Sequence, residues 1–390
     1  MATQTGYKAS ELGMIPQDWE IRRIGDFAPL QRGFDLPNSE IQSGDYPVVY
    51  SNGIGNYHNC YTVKSPCIAT GRSGTLGKVH YVEQDCWVHN TSLWVTKFDN
   101  CEPKFIYFLF QKIGFERFAS GSGVPTLNRN DAHEFKIALP KSITEQTAIA
   151  TVLSDTDALI SSLQTLIAKK KAIKLSAMQN LLSGKIRLPE FTQRPDGSSK
   201  TTRQTELGCI PEDWEVVELG SVAFIKTGSK NNQDKKENGQ YPFFVRSATV
   251  EQIDTYSYDC EAILIPGEGN IGSIFHYING KFDAHQRVYV IRDFYNVIGK
   301  FVFFALKQNF GKHAMENTVK ATVDSLRLPT FQNFKFAIPK STTEQTAIAQ
   351  LLSDMDAEIE ALECRLKKTQ ALKQGMMQAL LTGKIRLPLE

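Results

Sequence analysis

Apolar residues step by four and three through two long stretches that contain no proline. In the first they fall at Ile149, Leu153, Ile160, Leu163 and Ile167, with Thr156 in step. In the second they fall at Ile348, Leu352, Met355, Ile359, Leu362 and Leu366. That spacing holds one stripe on one face of a helix and is the seam of a coiled coil. Ser142-Ile-Thr-Glu145 and Ser341-Thr-Thr-Glu344 read as capping boxes: the Ser hydroxyl accepts from the N3 amide and the Glu reaches back to the cap amide. Gly184 and Gly383 mark the far ends, and Pro189 and Pro388 follow them. About 40 residues at 1.5 Å each make rods of about 60 Å, which outreach a small domain, so the rods are expected to pair with each other.

Charge sets the direction of pairing. The first helix is acidic early (Glu145, Asp155, Asp157) and basic late (Lys169, Lys170, Lys171, Lys174). The second is acidic through its middle (Asp354, Asp356, Glu358, Glu360, Glu363) and then basic (Arg365, Lys367, Lys368, Lys373). Antiparallel packing lays each basic stretch beside the other's acidic one. Outside the seam stand Ala148, Val152, Leu159 and Leu166, and Ala347, Leu351, Ala361 and Met377. A two-helix coiled coil leaves such a flank uncovered, so Val152, Leu159, Leu351 and Met377 are expected to meet partners.

The two helical stretches are copies. Residues 140–189 return at 339–388 with 30 of 50 positions identical and no gap, and ELGMIPQDWE (11–20) returns as ELGCIPEDWE (206–215). Between those anchors the halves differ strongly. The chain therefore reads as a tandem: a variable block over 1–140, a near-constant helix over 141–189, a linker over 190–205, a second variable block over 206–339 and a second helix over 340–390. Antiparallel pairing of equivalent helices generates a pseudo-twofold frame that carries two different surfaces.

In the variable blocks the pattern shortens to strands broken by Gly, Asn and Ser. The first block predicts strands at 46–50, 77–82, 92–96 and 134–140, with a helix opened by Pro103 and running to Phe118. The second repeats the order with strands at 241–245, 262–265, 287–292 and 334–339 and a helix at 297–310. The expected fold class is α+β: two α/β recognition domains joined by two long antiparallel helices. The loops are polar and basic, often beside glycine, and these side chains reach phosphates and base edges. The candidate DNA contacts are Arg32, Arg72, Lys78, Asn90 and Arg129 in the first domain. In the second they are Lys226, Lys230, Lys235, Lys236, Arg246, Arg287 and Lys320.

Composition narrows the class. Apolar content of 41% and charged content of 22% suit a globular protein, and the net charge of +2 permits DNA binding without announcing it. No apolar run reaches a transmembrane length, and MATQTGYKASELG lacks the stretch of a signal peptide. Seven cysteines at irregular spacing point to a reducing compartment, the cytoplasm. GRSGTLGK (71–78) fails as a phosphate loop, because Arg72 replaces the first glycine and Val79 the magnesium-binding hydroxyl. His58, Cys60 and Cys67 lack zinc spacing, so no metal site is expected. His89 and His285 occupy matching places before strands and are read as structural or DNA-facing. No catalytic constellation stands out, so the chain is expected not to be an enzyme.

Two divergent blocks alternating with two near-identical long helices resemble the specificity subunit of type I restriction-modification systems. The matching residues are Ile15-Pro16-Gln-Asp-Trp19 and Ile210-Pro211-Glu-Asp-Trp214, Glu145-Gln146 and Glu344-Gln345, and Gly184-Lys-Ile-Arg187 and Gly383-Lys-Ile-Arg386. The resemblance implies two target-recognition domains, each reading half of a split sequence in double-stranded DNA, with a spacer set by the helices. It also implies that two modification (methyltransferase) subunits dock on the helices and that restriction subunits add ATP-driven translocation and cleavage. AdoMet, ATP and Mg would then be bound by those partners, and this chain would hold no cofactor. The rival readings are a coiled-coil scaffold joining two domains that bind proteins or ligands, and a self-sufficient enzyme.

Overall fold

The computed structural model describes residues 6–120, 125–318 and 325–388. Two helices of 39 residues each dominate it, Ile143–Leu181 and Thr342–Leu380. The chain divides into two compact units that do not follow the sequence repeat. One is Met1–Thr165 with Cys364–Glu390, and the other is Leu166–Glu363. Each unit thus combines one variable domain, the start of one long helix and the end of the other.

Within each unit the helix segments run antiparallel, as their charges predict. In the second unit Lys170 meets Glu358 at 2.7 Å, Lys171 meets Glu363 at 2.6 Å, and Lys174 pairs with Asp356. In the first, Lys373 meets Asp157 at 2.6 Å. Of the seam residues, Ile149 and Leu153 join the core of the first domain, and Ile348 and Leu352 join that of the second. Leu163, Ile167 and Ile359 are buried outside both domain cores, whereas Ile160, Leu362 and Leu366 are half-buried.

The helix ends carry one correction. Ser142 does accept from the Glu145 amide, at 3.3 Å, but the Glu145 side chain does not return to the cap. It lies buried against Arg386, and Glu344 is likewise buried against Arg187. A buried carboxylate near a guanidinium gains more from that charge than from one cap amide. Gly184 and Gly383 hold φ of +69° and +67°. Beyond conformation, each glycine clears a space: a side chain there would collide with the ring of Pro211 or Pro16.

The first domain holds a four-stranded antiparallel sheet in the order Leu30–Arg32, Ser92–Val95, Cys67–Gly71, Val79–Val82. Beside it lies a three-stranded sheet of Gly53–His58, Tyr46–Tyr50 and Trp87–Val88. The second domain fuses the same order into six strands: Phe224–Thr227, Val288–Arg292, Tyr258–Pro266, His276–Ala284, Tyr241–Phe244 and Glu251–Ile253. One continuous strand, His276–Ala284, bridges both parts there. In the first domain the segments Val79–Val82 and Trp87–Val88 are separate, and each stays with its own sheet. The predicted helices are Pro103–Ile113 and Gly299–Glu316. Gly114, at φ +70°, stops the first, and Phe115–Phe118 continues only as a 3-10 turn. Closing strands Lys136–Pro140 and Lys335–Pro339 pair with Trp19–Arg23 and Trp214–Glu218.

Two hairpins were not expected. Tyr7–Ser10 pairs with Gly13–Pro16, and Thr202–Thr205, inside the segment read as linker, pairs with Gly208–Pro211. Their burial comes from one strand only, through Ile15 and Ile210, so the flanking polar residues carry no periodic signal. The repeated tryptophans are fully buried, Trp19 and Trp214 each at 0% exposure. Around them pack the phenylalanines of the domain helices, Phe105, Phe108 and Phe110 in one unit and Phe301, Phe304 and Phe310 in the other.

Candidate nucleic-acid interface

The loops at one edge of each domain are tied together by the same backbone bonds, although their sequences differ. In the first domain the Gly33 amide donates to the Ser92 carbonyl (3.0 Å), the Arg72 amide to that of Thr91 (2.8 Å) and the Leu127 amide to that of Arg72 (2.8 Å). In the second the Gly228 amide donates to Val288 (2.9 Å), Gly267 to Arg287 (2.8 Å) and Leu326 to Gly267 (2.8 Å). Gly33 and Gly228 sit where a side chain would strike a backbone carbonyl, of His89 and Ala284 respectively, so only glycine allows the strands' loops to close this tightly.

At the centre of each edge is a histidine turn. The His89 amide donates to Val49 (3.0 Å), its carbonyl accepts from Ser92 (2.9 Å), and its Nδ1 accepts the Thr91 amide at 3.3 Å. His285 repeats each bond with Phe244 (2.9 Å), Val288 (2.9 Å) and the Arg287 amide at 3.0 Å. Nδ1 accepts only when unprotonated. Burial, opposed by the charge of Asp35, holds the His89 imidazole below its usual value, and burial joined by Arg246 and Arg287 does the same at His285. Both rings are therefore neutral at physiological pH. They are structural residues of the turn.

Of the candidate contacts, this edge gathers Arg32, Arg72 and Asn90 in the first domain and Lys230, Arg246 and Arg287 in the second. Arg32 lies 3.4 Å from Asp35, to which the Asn90 amide also donates. Arg72 has no carboxylate partner among the described residues. Arg246 and Arg287 share Glu268 at 3.4 and 3.2 Å. Lys230 faces the fully buried Asp283 at 3.7 Å and is committed inward. Lys78 is exposed at the foot of strand Val79–Val82, and residues 71–78 form the turn between two antiparallel strands. Arg129 opens a short helix, Arg129–Glu134, and Lys226 stands exposed on the edge strand Phe224–Thr227. Lys235 and Lys236 lie against strand Glu251–Ile253, Lys235 3.6 Å from Glu251. Lys320 falls outside the described residues. The pattern of loops missed Gln286, whose side chain donates to Asn231 at 2.7 Å. Its position one residue after His285, as Asn90 follows His89, was the available signal.

A second shared feature lies where each domain meets the helix ends. Arg386 donates two bonds of 2.8 Å to Asp18 and bonds of 2.8 and 2.7 Å to Glu145, which also accepts from the Trp19 indole at 3.4 Å. In the other unit Arg187 binds Asp213 at 2.9 and 3.0 Å and Glu344 at 2.9 and 2.6 Å. The adjacent glutamine closes the joint: Gln146 accepts from the Glu102 amide and Gln345 from the Ile298 amide, both at 2.8 Å. All three motifs quoted from the sequence thus converge on one clamp per unit. Its arginine comes from the opposite repeat to its tryptophan.

The flank expected to meet partners needs revision. Met377 is buried in the first core, and Val152 and Leu351 are half-buried against the two cores. At these positions the helix rests on a domain, that of its own repeat at Val152 and Leu351 and that of the other repeat at Met377, so the uncovered face is rotated away from them. Leu159 remains exposed, with Leu372, in the first unit; in the second the exposed residues are Leu166, Ile173 and Leu175. Ile173 and Ile186 rim a shallow groove of about 350 Å³ floored by Ala177 and Leu181.

Among the described residues no cluster of three His, Cys, Asp or Glu side chains suits a metal ion, and no helix is long and apolar enough to cross a membrane. Comparison with known proteins gives a consistent picture. The family model for the type I restriction modification DNA specificity domain matches residues 16–172 and again 211–370. The chain is 35% identical over 175 residues to the specificity subunit of the type I restriction enzyme EcoDI of Escherichia coli, an alignment covering 45% of this chain and 38% of that subunit. It is 24% identical to the MjaVIII specificity subunit of Methanocaldococcus jannaschii, over 96% of this chain and 94% of that one. The crystal structure of the type I restriction-modification S subunit from M. genitalium aligns with a TM-score of 0.69 at 17% identity, covering 95% of this chain and 97% of that one.

Proposed function

Because the chain belongs to the type I restriction-modification DNA specificity family and carries two copies of its domain, we propose that each domain reads one half of a split duplex sequence. The paired helices would then set the spacer between the halves. The observation that carries this reading is the doubled loop edge: one backbone frame, glycine-closed and histidine-centred, that displays Arg32, Arg72 and Asn90 in one copy and Arg246, Gln286 and Arg287 in the other. A frame held constant while its displayed side chains vary is what two readers of different half-sites require.

Two modification subunits carrying the AdoMet chemistry dock on the exposed helix flank, at Leu159 and Leu372 in one unit and at Leu166 and Ile173 in the other. Restriction subunits bring ATP, Mg and cleavage. This chain supplies recognition and no catalysis, and it works in the cytoplasm, in keeping with its seven free cysteines. With a net charge of +2, the lone chain binds duplex weakly and with steep salt dependence, and tight binding belongs to the complex.

The test is to exchange residues 206–339 for the matching block of another family member and map the modified bases in cells. One half of the recognised sequence changes and the other stays. A simultaneous change in both halves, or none in either, overturns the reading of one domain per half-site.

A further inference from the structure

The histidine turn presents the same chemical group at the same place in both domains. The residue after the histidine is a carboxamide in each, Asn90 and Gln286. Each donates one N–H to a side-chain oxygen on the loop that follows the closing glycine: Asn90 to Asp35, and Gln286 to Asn231 at 2.7 Å. Among the described residues the oxygens of both carboxamides have no hydrogen-bond partner. Each group therefore keeps one acceptor and one N–H unspent. The turn beneath is tied down, since the histidine amide, its carbonyl, its Nδ1 and the carbonyl two residues on all hold partners in both domains.

We propose that Asn90 and Gln286 are the base-reading carboxamides of the two domains, each pairing with the edge of an adenine in its own half-site, and that His89 and His285 are their positioning residues. One acceptor and one donor side by side match the N6 amino group and N7 of adenine in the major groove. The bond to Asp35 or Asn231 anchors the carboxamide through one N–H and leaves the other N–H and the oxygen for a base edge, and the histidine bonds hold the turn beneath it. The neighbouring position differs, Thr91 in one domain and Arg287 in the other, which lets one scaffold read different flanking bases. This proposal rests on the reading of one domain per half-site given above.

The experiment maps modified sequences in cells that carry the full system with N90A, Q286A, H285A or H285N in this chain. N90A relaxes the requirement for an A·T pair at one position of one half-site, by about 5- to 100-fold in relative occupancy, and leaves the other half unchanged. Q286A does the reverse, and the untouched half reports that the chain is folded. H285A relaxes the same position as Q286A. H285N, whose side-chain oxygen can accept the same amide, restores the preference, which a general loss of packing would not allow. The proposal is overturned if N90A and Q286A both retain the parent sequence, or if H285A and H285N relax positions other than that of Q286A. A parent system that modifies no bipartite sequence overturns the underlying reading instead.

Discussion

Arg187 is a buried arginine held by two carboxylates. Its side chain is 8% exposed and joins Asp213 to Glu344, itself 1% exposed. Removing it leaves a buried carboxylate without a counter-charge, which costs about 3 kcal/mol or more. R187A is expected to lower the unfolding free energy of the second unit, measured by urea titration, by that amount, and R386A to lower that of the first by less, because Arg386 is 34% exposed and water can take its place. The same clamps set an acid limit. The Arg386 hydrogen bonds hold Asp18 below the usual carboxylate range; at Asp213 burial pushes the other way, but Arg187 and Lys200 prevail and its value is also lowered. A carboxyl depressed in the folded state contributes stability above its unfolded value, about 3.9, and loses that contribution as pH falls through the folded value. Stability of both units should therefore drop below about pH 4, and D213N should flatten that drop in urea titrations of the second. The motif residues themselves were plain in the sequence. Their partnership was not, because Arg187 and Glu344 stand 157 positions apart and no local pattern links them.

At the level of elements, period and punctuation predicted well. Both long helices, their glycine ends and the order of strands follow from apolar spacing and turn residues. Lys174 is the informative exception. It occupies a buried seam position, with its ammonium beside Asp356 and 5.4 Å from the ring of Phe304. A lysine there reads as a break in the stripe, yet it helps to make the antiparallel pairing specific by charge. K174E should destabilise the second unit severely, since it places two carboxylates together in a half-buried site, whereas K171E at an exposed pair should cost about 0.5 kcal/mol. Thermal melts of the two variants test the contrast, and equal losses would show that burial at 174 plays no part. The capping box departs from its pattern in one half: Ser142 accepts from the Glu145 amide, but the Glu145 side chain bonds Arg386 instead of the cap. The composition suited a cap, but the glutamate found a better partner from a distant segment.

For the whole molecule, the decisive fact is that each compact unit borrows its closing segment from the other repeat. The first domain is completed by residues 364–388, whose Lys373, Met377, Leu380, Leu381 and Arg386 meet Asp157, the domain core and the clamp. The first repeat holds equivalents of all five: Lys174, Met178, Leu181, Leu182 and Arg187. A fragment of residues 1–189 should therefore associate as a homodimer in which each copy completes the other. Sedimentation at low micromolar concentration should give twice the fragment mass, and R187A in the fragment should abolish the dimer. A stable, folded monomer would contradict the exchange.

The sequence by itself determined the duplication, the helix seams, the helix ends and the alternation of constant frame with variable surface. These are local or periodic properties, and 3.6-residue and two-residue periods are written residue by residue. Only the tertiary structure decided which arginine clamps which domain, which face of each long helix rests on a domain and which stays open, and that His89 and His285 organise equivalent turns. Each of these depends on atoms from distant segments meeting at a few ångströms, and such meetings leave no mark on the spacing of residues along the chain. The carboxamides at 90 and 286 belong to both accounts. Their identities were visible from the start, and their equivalence appeared only when the backbone bonds beneath them proved the same.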